Sequence, residues 1–184
     1  MEISKIDPEL FQVNVREWPI EAAESRLFSG RDSSGKQVAF KVYPTLTPEE
    51  VQSYTEVTNR LAETVNDSNM VAHLEVGGVE NDYLVHIVPI SIFGLVTDPD
   101  KPDKDWPCTL APFIEGPTLF DVDKNFLSRH ATLKRQNPLS TLAENLAKIS
   151  KRNIRIIPWN VKPVEKDGKR ILEITDLCGS IKSL

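Results

Sequence analysis

A lysine in a strand-like segment is the first residue whose type and placement could do chemistry. Residues 37–43 alternate apolar and other side chains with the period of two that is typical of a β-strand. The alternation puts Lys41 on the same face as the small Ala39, while Val38 and Phe40 lie on the other. A lysine ammonium is a compact point charge, and in this place it is either a candidate for chemistry or a solvent-facing strand lysine.

The histidines, the aspartates of residues 97–105 and the cysteines lack the spacing that a catalytic or metal site needs. His73, His86 and His130 are far apart, and no motif such as GxSxG lies near them, so a hydrolase triad would require unseen tertiary contacts. The aspartates of residues 97–105 match a calcium loop only loosely, because the required glycine and terminal glutamate are absent. The two cysteines fit neither a disulfide framework nor a zinc site, which favours a reducing compartment.

The composition is that of a globular protein with a modest acidic excess. The chain has 184 residues, of which 40% are hydrophobic and 27% charged, and its formal net charge is -5. The acidic excess argues against a main role in gripping a polyanion, so we expect no nucleic-acid partner. No apolar run approaches the roughly 20 residues of a membrane span, and residues 1–10 lack a signal-peptide pattern. We therefore expect a cytoplasmic protein with no membrane partner.

Local signals predict the elements that position Lys41. Residues 26–43 predict a β-hairpin with a polar turn at residues 32–35. A capping-box pattern with proline at position 48 predicts that a helix begins there. Its apolar residues recur at helical spacing: Val51, Tyr54, Val57, Leu61 and Val65.

The middle of the chain predicts further strands and a change of character. Residues 83–96 are apolar and predict one or two buried strands, whereas residues 97–105, rich in charge and proline, predict an exposed loop. Residues 108–114 predict a strand, in which Pro112 argues for an edge or a strand end. The chain turns from strand-rich to helix-rich after Glu115. This change predicts two lobes, residues 1–115 and 116–184.

The last third of the chain predicts two helices and a hairpin. Residues 118–131 predict a helix around Leu119, Phe120 and Leu127, and a better helix opens at Pro138. Residues 154–164 and 170–175 predict two strands joined by a turn. The apolar face of the second helix consists of Leu139, Leu142, Leu146 and Ile149. Four basic residues lie near its end, Lys148, Lys151, Arg152 and Arg155; they form either a solvated face or a docking patch for an acidic partner.

The order of these elements resembles the protein kinase family, from its first hairpin to its metal-binding aspartate. Residues 38–41, Val-Ala-Phe-Lys, resemble the V-A-I-K strand of that family. Residues 111–116, Ala-Pro-Phe-Ile-Glu-Gly, resemble its last small-lobe strand and hinge, and residues 174–177, Ile-Thr-Asp-Leu, fall at its D-F-G aspartate. The resemblance covers most of the chain. It implies an α+β fold, with a kinase-like small lobe of antiparallel sheet plus one main helix, and a reduced helical second lobe.

The resemblance also implies a site for ATP and magnesium. Lys41 would pair with nucleotide phosphates, and Ala39 would leave room for adenine. Adenine would hydrogen-bond to main chain near Pro112 and Ile114, since a proline loses only its N–H. The implied ligands of the magnesium ion are Asn160 and Asp176.

Two departures from the kinase pattern affect this implied site. The three loop glycines of the family fall on Ile20, Ala22 and Ser25, whose side chains keep the backbone from closing tightly over phosphates. Spacing selects Glu56 as the ion-pair partner of the strand lysine, although the helical wheel puts it opposite the apolar residues. Glu50 lies on the apolar side, but its role in helix capping already accounts for it.

The segment that aligns with the kinase catalytic loop departs most from the family's sequence pattern. One alignment lays residues 153–160 on H-R-D-L-K-P-E-N and puts Arg155 at the catalytic aspartate. Another lays residues 160–163 on D-L-K-P and puts Asn160 there. We favour the first because it leaves residues 161–164 free to form a strand. Under either alignment, the carboxylate that accepts the substrate's proton is absent.

These features predict a pseudokinase that works by binding another protein, with weak nucleotide binding. The alternative is a minimal atypical ATP-dependent protein kinase that uses Lys41, Asn160 and Asp176. The chain ends shortly after Asp176, so we expect a truncated second lobe that manages with few helices or borrows a partner's surface. A third interpretation is a plain α+β domain in which the order of elements is coincidental.

Overall fold

A computed structural model describes four stretches of the chain: residues 3–13, 25–98, 101–128 and 137–177. The main elements, in chain order, are β1 (Arg26–Arg31), β2 (Gln37–Val42), α1 (Pro48–Ser68), β3 (Val71–Val76), β4 (Val79–Ile87), β5 (Ile92–Asp98), β6 (Lys101–Pro112), α2 (Leu119–Val122), α3 (Pro138–Ser150), β7 (Val161–Lys166) and β8 (Lys169–Ile174). Short 3-10 turns lie at Pro8–Phe11 and Pro158–Asn160. The α+β class predicted from the sequence is confirmed.

The elements form two compact units. These are Met1–Glu56 with Pro89–Phe113, and Val57–Val88 with Ile114–Leu184. The sequence placed a single boundary after Glu115, close to the division that follows Phe113. The structure also assigns residues 57–88 to the second unit, because β3 and β4 belong to the same sheet as β7 and β8.

The first unit contains a four-stranded antiparallel sheet in the order β1-β2-β6-β5. Its β1-β2 hairpin is the one that the sequence predicted. In the turn, Asp32 Oδ1 accepts hydrogen bonds from the N–H groups of Ser34 and Lys36 at 2.9 and 3.0 Å. Hydrogen bonding, led by the Ser34 side chain, holds the pKa of Asp32 below its usual value. Gly35 has a φ of 82°, a left-handed conformation that glycine adopts without strain.

One face of this sheet carries the apolar core of the first unit. Phe40 and Val42 of β2 are buried, as are their register partners Leu110 and Cys108 on β6. Burial raises the pKa of the Cys108 thiol to about 12. Three further residues complete the core cluster: Val13, Val96 and Trp106. The predicted alternation of β2 is therefore confirmed.

The segment that precedes β1 in the chain packs against this sheet at two glycines. The Ile6 N–H donates to the Leu95 carbonyl at 2.7 Å. A Cβ atom on Gly94 would lie 2.7 Å from the Ile6 side chain, and one on Gly30 would lie 2.2 Å from the Phe11 carbonyl oxygen. Both strands therefore need a residue without a side chain where the N-terminal segment crosses them.

Residues 97–98 and 101–105 belong to strands β5 and β6, so the predicted loop is wrong for these residues, although residues 101–104 are exposed as predicted. Thr97 pairs in register with Asp105, and its hydroxyl donates to that carboxylate at 2.8 Å. Lys5 forms an ion pair with the same carboxylate at 2.9 Å. Two hydrogen bonds lower the pKa of Asp105, and the one from Lys5 contributes more than the one from Thr97. The charge and proline content of this segment predicts a loop, because the sequence alone does not show that Thr97 and Lys5 bind the Asp105 carboxylate.

Helix α1 begins as its capping box predicts. The Thr47 N–H donates to the Glu50 carboxylate at 2.7 Å, and the Glu50 N–H donates to the Thr47 hydroxyl at 3.3 Å. The helix up to Glu56 falls in the first unit and the rest in the second. Four of its five predicted apolar positions are buried: Val51, Tyr54, Leu61 and Val65.

The second unit contains a mixed sheet in the order β3-β4-β8-β7. Strands β7 and β8 form the hairpin predicted near the end of the chain. Asp167 and Gly168 have φ values of 52° and 71°, as expected of the two central residues of a type I′ turn. Strand β4 runs parallel to β8, with Leu84 opposite Ile171. The apolar run of residues 83–96 therefore contributes to two strands in different sheets, β4 and β5.

Helices α2 and α3 belong to the same unit as this sheet. Helix α3 begins at Pro138, as predicted, and the Asn137 side chain caps it by accepting the Leu139 N–H at 3.0 Å. Leu139, Leu142 and Leu146 are buried, whereas Ile149, in the last turn, is 40% exposed. The helix predicted for residues 118–131 is shorter in the described residues, with α2 followed by a helical turn at residues 126–128. Within the described ranges, no helix has the length and apolar character to cross a membrane.

Candidate functional site

In the first unit, Lys41 lies on the sheet face opposite the apolar core. Its register partner on β6 is Thr109, and the partner of Ala39 is Ala111. Directly opposed residues of antiparallel strands share a face, so two alanines lie on the same face as this lysine. Ala39, Lys41 and Ala111 are all half-buried. This face therefore combines a cation with small side chains, as the sequence predicted for Lys41 and Ala39.

An aromatic ring lies beside the Lys41 ammonium. Lys41 Nζ is 5.3 Å from the centroid of the Tyr43 ring, a distance at which the ring quadrupole attracts a cation. The Tyr43 hydroxyl lies 3.3 Å from Thr109 Oγ1, and both residues are buried. Buried neighbours that contact one another limit the conformations open to the lysine.

Glu56, the predicted partner of this lysine, is exposed on α1. Its carboxylate accepts a hydrogen bond from Gln52 Nε2 at 3.1 Å, one turn earlier. It lies away from the buried stripe, as the helical wheel predicted. Glu50 takes part in the capping box, so it has the structural role that the sequence assigned to it. The ion pair between Glu56 and Lys41 stays a prediction.

The hinge-like segment begins where β6 ends at Pro112. The Phe113 N–H donates to the Gln37 carbonyl at 3.3 Å. In the second unit, the Ile114 carbonyl accepts a hydrogen bond from Lys162 Nζ. Burial lowers the pKa of Lys162, and the nearby Asp121 carboxylate acts in the opposite direction. The Ile114 carbonyl of the predicted hinge thus already has a strong donor from within the chain.

In the second unit, the structure brings together the two predicted metal ligands, Asn160 and Asp176. Asn160 ends the 3-10 turn just before β7, and Asp176 lies two residues after β8. The Thr175 N–H donates to the Asn160 carbonyl at 2.9 Å, which continues the pairing of the two strands. Asn160 Nδ2 lies 3.4 Å from Asp176 Oδ2. Both side chains are half-buried.

This pair has the chemistry of a partial magnesium site. An asparagine amide and an aspartate carboxylate offer hard oxygen ligands, which Mg²⁺ prefers. Within the part of the chain that the structure describes, no group of three or more His, Cys, Asp or Glu side chains could hold a metal ion. Two ligands suit Mg²⁺, which commonly keeps several waters and takes further oxygens from substrate phosphates. The atom of Asn160 that faces Asp176 is Nδ2, a donor, so a metal held by both side chains would require the amide to turn its oxygen toward the carboxylate.

The loop before Asn160 presents no carboxylate at the expected catalytic position. Ile154 and Ile156 are buried, and Arg155 between them is exposed. Strand β7 begins at Val161, in the segment predicted to form a strand. The alignment that puts Arg155 at the catalytic position stays a prediction. A guanidinium has donors and no acceptor, so it cannot take a proton from a substrate hydroxyl.

The histidines lie in other surroundings. His73 Nδ1 is 2.8 Å from Asp82 Oδ1, and both side chains are exposed. Hydrogen bonding to Asp82 raises the pKa of His73. His86 Nδ1 forms a hydrogen bond with the largely buried Glu173. Both pairs link neighbouring strands of the second sheet.

Some predicted positions lie outside the described residues. Two of the three positions aligned with kinase glycines, Ile20 and Ala22, are among them, as is His130. The third, Ser25, is described and precedes β1 directly.

Sequence reasoning missed several residues of these sites. Thr109 and Ala111 share a face with Lys41, but only the pairing register of β2 with β6 shows this. Lys162 was considered only as part of an alternative alignment, and no spacing signal links it to Ile114, 48 residues away. Alternation along residues 108–112 could have placed Thr109 and Ala111 on one face.

Comparisons with known proteins add little to this geometry. No protein-family model matches the chain, and no curated protein matches it. One solved structure with some similarity was described as a novel alpha kinase from Entamoeba histolytica. The sequences are 16% identical, the TM-score is 0.44, and the match covers 86% of this chain and 60% of that one.

Proposed function

We propose that this protein is a kinase-like pseudokinase, which works by binding another protein and retains a weak site for a magnesium nucleotide. The observation that carries the proposal is the approach of Asn160 to Asp176 across the open end of the β7-β8 hairpin. The loop that leads into this hairpin exposes Arg155 where the kinase resemblance expects a catalytic carboxylate.

The geometry of the second unit supports the proposal that magnesium binding is retained. Asn160 and Asp176 are 16 residues apart, and the hairpin between them has the registered pairing that brings them together. A metal bound by two side chains depends on nucleotide oxygens for its remaining ligands, so the binding we expect is weak.

The first unit supports a role for Lys41 in phosphate binding. The strand that carries it pairs with the strand that leads into the hinge-like segment, in the register that sets Ala39 against Ala111. The resemblance assigns these strands to a nucleotide, and small side chains at both positions are consistent with that assignment. The three kinase glycines are replaced, which agrees with weak binding.

Thermal unfolding with and without ATP and magnesium tests this proposal. A ligand that binds only the folded state raises stability, by about 1 kcal/mol when the nucleotide is present at roughly five times its dissociation constant. For a chain of this size, we expect the melting temperature to rise by ~2–4 °C at millimolar ATP, and only when magnesium is present. An unchanged melting temperature would contradict nucleotide binding.

Paired variants identify the residues responsible. Asp176→Asn keeps the shape of the side chain but removes its charge, and it should abolish the magnesium-dependent rise. Asp103→Asn is the matched control, because Asp103 is exposed on β6. Lys41→Ala should also reduce the rise, with Lys36→Ala in the exposed turn as its control. Equal effects of a variant and its control would contradict the assignment.

A minimal protein kinase is the second candidate function, favoured by retention of Lys41 together with the Asn160 and Asp176 pair. Phosphoryl transfer relies mainly on positioning and charge, so loss of the base slows it without forbidding it. Radiolabelled ATP with a general protein substrate separates the two functions. Transfer that is lost in Asp176→Asn would favour the kinase and contradict the pseudokinase.

A further inference from the structure

A groove in the surface of the second unit contains Arg155. Its volume is about 430 Å³, and it is lined by one side of α3, by Leu127 and by residues 153–159. Helix α3 contributes small side chains at Ser140, Ala143 and Ala147. These positions are three and four residues apart, so they fall on one side of the helix. Glu144 of the same helix also lines the groove and is exposed. The small side chains leave room beside it for a group from outside.

The walls of the groove combine apolar residues with polar ones, and the polar residues are Asn137, Ser140, Glu144, Asn153 and Arg155. Ile154, Ile156 and Pro158 line it and are buried. Trp159 is 47% exposed at the same groove, and its ring stacks on Phe120 with centroids 4.6 Å apart. Exposed aromatic rings that neighbouring residues hold in place are typical anchors of protein interfaces.

The sequence around the groove is rich in basic residues, although the charged residues that line the groove are Arg155 and Glu144. Residues 144–159 include four basic side chains, Lys148, Lys151, Arg152 and Arg155, and one acidic side chain, Glu144. This contrasts with the whole chain, whose net charge is -5. Arg155 lines the groove and is exposed. Within the described ranges, no ion pair neutralises any of the four basic side chains. The charge of this surface is therefore available to an acidic partner.

We propose that this groove binds an acidic peptide segment of a partner protein. An apolar side chain of the peptide would lie against Ala143 and Ala147, and its carboxylates would face Arg155 and the basic residues at the end of α3. Arginine binds carboxylates with two parallel hydrogen bonds, which gives such contacts both strength and direction. This inference rests on the protein-binding part of the proposed function, for which it names the surface and the partner's chemistry.

A nucleic acid or an anionic membrane would also be attracted by basic residues. A groove of about 430 Å³ with apolar residues in its walls can hold a peptide side chain, whereas a lipid surface or a phosphate backbone needs an extended basic face. The acidic excess of the chain opposes long contact with either polyanion. These two classes are therefore outcomes to be tested against the peptide.

Fluorescence anisotropy with defined peptides tests the proposal on the full chain, without nucleotide. The probe is a fluorescein-labelled peptide of about ten residues, made of Asp and Glu around a central Leu-Leu pair. One matched peptide replaces the leucines by glycines, and another replaces the acidic residues by lysines. We expect both to bind at least about tenfold more weakly than the probe. Equal binding of either matched peptide would overturn the proposal.

Two variants locate the binding surface. Arg155→Glu reverses an exposed charge, and Ala147→Leu fills the groove with a residue that favours helix. We expect each to weaken binding of the acidic probe by about tenfold or more. Lys169→Glu is the matched control, because it makes the same change of charge at an exposed residue of β8 that does not line the groove. Retained binding in both groove variants, or equal loss in the control, would overturn the proposal.

The same assay tests nucleic acid and anionic membrane as alternative ligands. Tighter binding of a labelled single-stranded oligonucleotide, or of phosphatidylserine vesicles, than of the acidic probe would also overturn the proposal. Nucleotide binding is measured separately by thermal unfolding. A chain that binds magnesium ATP but no acidic peptide contradicts this inference and leaves the nucleotide site standing.

Discussion

The two sheets of the molecule differ in the pairing of their central strands, which is antiparallel in the first sheet and parallel in the second. The first sheet consists of the β1-β2 and β5-β6 hairpins, and its paired central strands β2 and β6 bury an apolar face. In the second sheet, the pairing of β4 with β8 joins segments more than 80 residues apart. This pairing contains a polar contact, between His86 and Glu173.

The difference shows where each unit has room for chemistry. In the first sheet, one face of β2 lies in the apolar core and the opposite face carries Lys41. In the second sheet, the polar contact between His86 and Glu173 helps to hold β4 against β8. Asn160 and Asp176 lie at the open end of the β7-β8 hairpin, which includes β8. We therefore expect substitutions in the first sheet to separate stability from function more cleanly than those in the second.

The largest effect is expected at the core of the first sheet. Phe40 is fully buried, and Phe40→Ala removes a ring and leaves a cavity. We expect the free energy of unfolding to fall by about 3–5 kcal/mol. The adjacent Lys41→Ala, on the other face, should cost less than about 1 kcal/mol. Urea denaturation measures both, and equal losses would contradict the two-faced description of β2.

A smaller effect is expected at the polar contact of the second sheet. Glu173→Ala removes a largely buried carboxyl and leaves His86 without this partner. We expect a loss of about 1.5–3 kcal/mol, the usual range for hydrogen bonds to charged groups. Glu165→Ala, at an exposed residue of β7, should change stability by less than about 0.5 kcal/mol. A double-mutant cycle with His86→Ala should show coupling between the two residues, and additive losses would count against the contact.

The close approach of the N-terminal segment to β1 predicts a third effect. Gly30→Ala would place a Cβ atom 2.2 Å from the Phe11 carbonyl oxygen and 2.8 Å from a Val13 methyl carbon. Relief of this overlap requires backbone movement, which should cost about 1–3 kcal/mol. Ser29→Ala is the control at the neighbouring position. Denaturation curves that coincide for the two variants would show that this segment does not pack on β1 as described.

The smallest effect concerns pH. His73 is exposed, and its hydrogen bond to Asp82 raises its pKa above the ordinary value near 6.5. The stabilisation is therefore fully present below about pH 6.5 and is lost as the pH rises through the folded-state pKa. NMR titration of the His73 ring should give a lower pKa in Asp82→Asn than in the native chain. Identical titration curves would contradict the contact.

Elements set by local signals could be predicted from the sequence. The turn at residues 32–35, the capping box of Thr47 and Glu50, and the turn at residues 165–169 all satisfy their own backbone groups, so short motifs identify them. The parallel pairing of β4 with β8 has no local signal, since it depends on apolar strands with a long stretch of chain between them. The charged β5-β6 hairpin was taken for a loop because its ion-pair partner, Lys5, is remote in sequence.

The same distinction applies to the candidate site: contacts within one hairpin could be predicted from the sequence, and contacts between remote segments could not. Asn160 and Asp176 flank a single hairpin, so the spacing that predicted the hairpin also brought them together. The contact of Lys162 with the Ile114 carbonyl could not be foreseen, because it joins the predicted hinge to a strand far along the chain. The groove around Arg155 likewise depends on how α3 packs beside residues 153–159.

Paramagnetic NMR with Mn²⁺ in place of Mg²⁺ tests the central claim most directly. With ATP present, Mn²⁺ bound by Asn160 and Asp176 should broaden the amide resonances of residues 160 and 175–177 more than those of other residues in the second unit. Asp176→Asn should abolish this broadening, whereas Asp103→Asn should leave it unchanged. Broadening centred on other residues, or equal broadening in native chain and Asp176→Asn, would contradict a magnesium nucleotide site at the end of the β7-β8 hairpin.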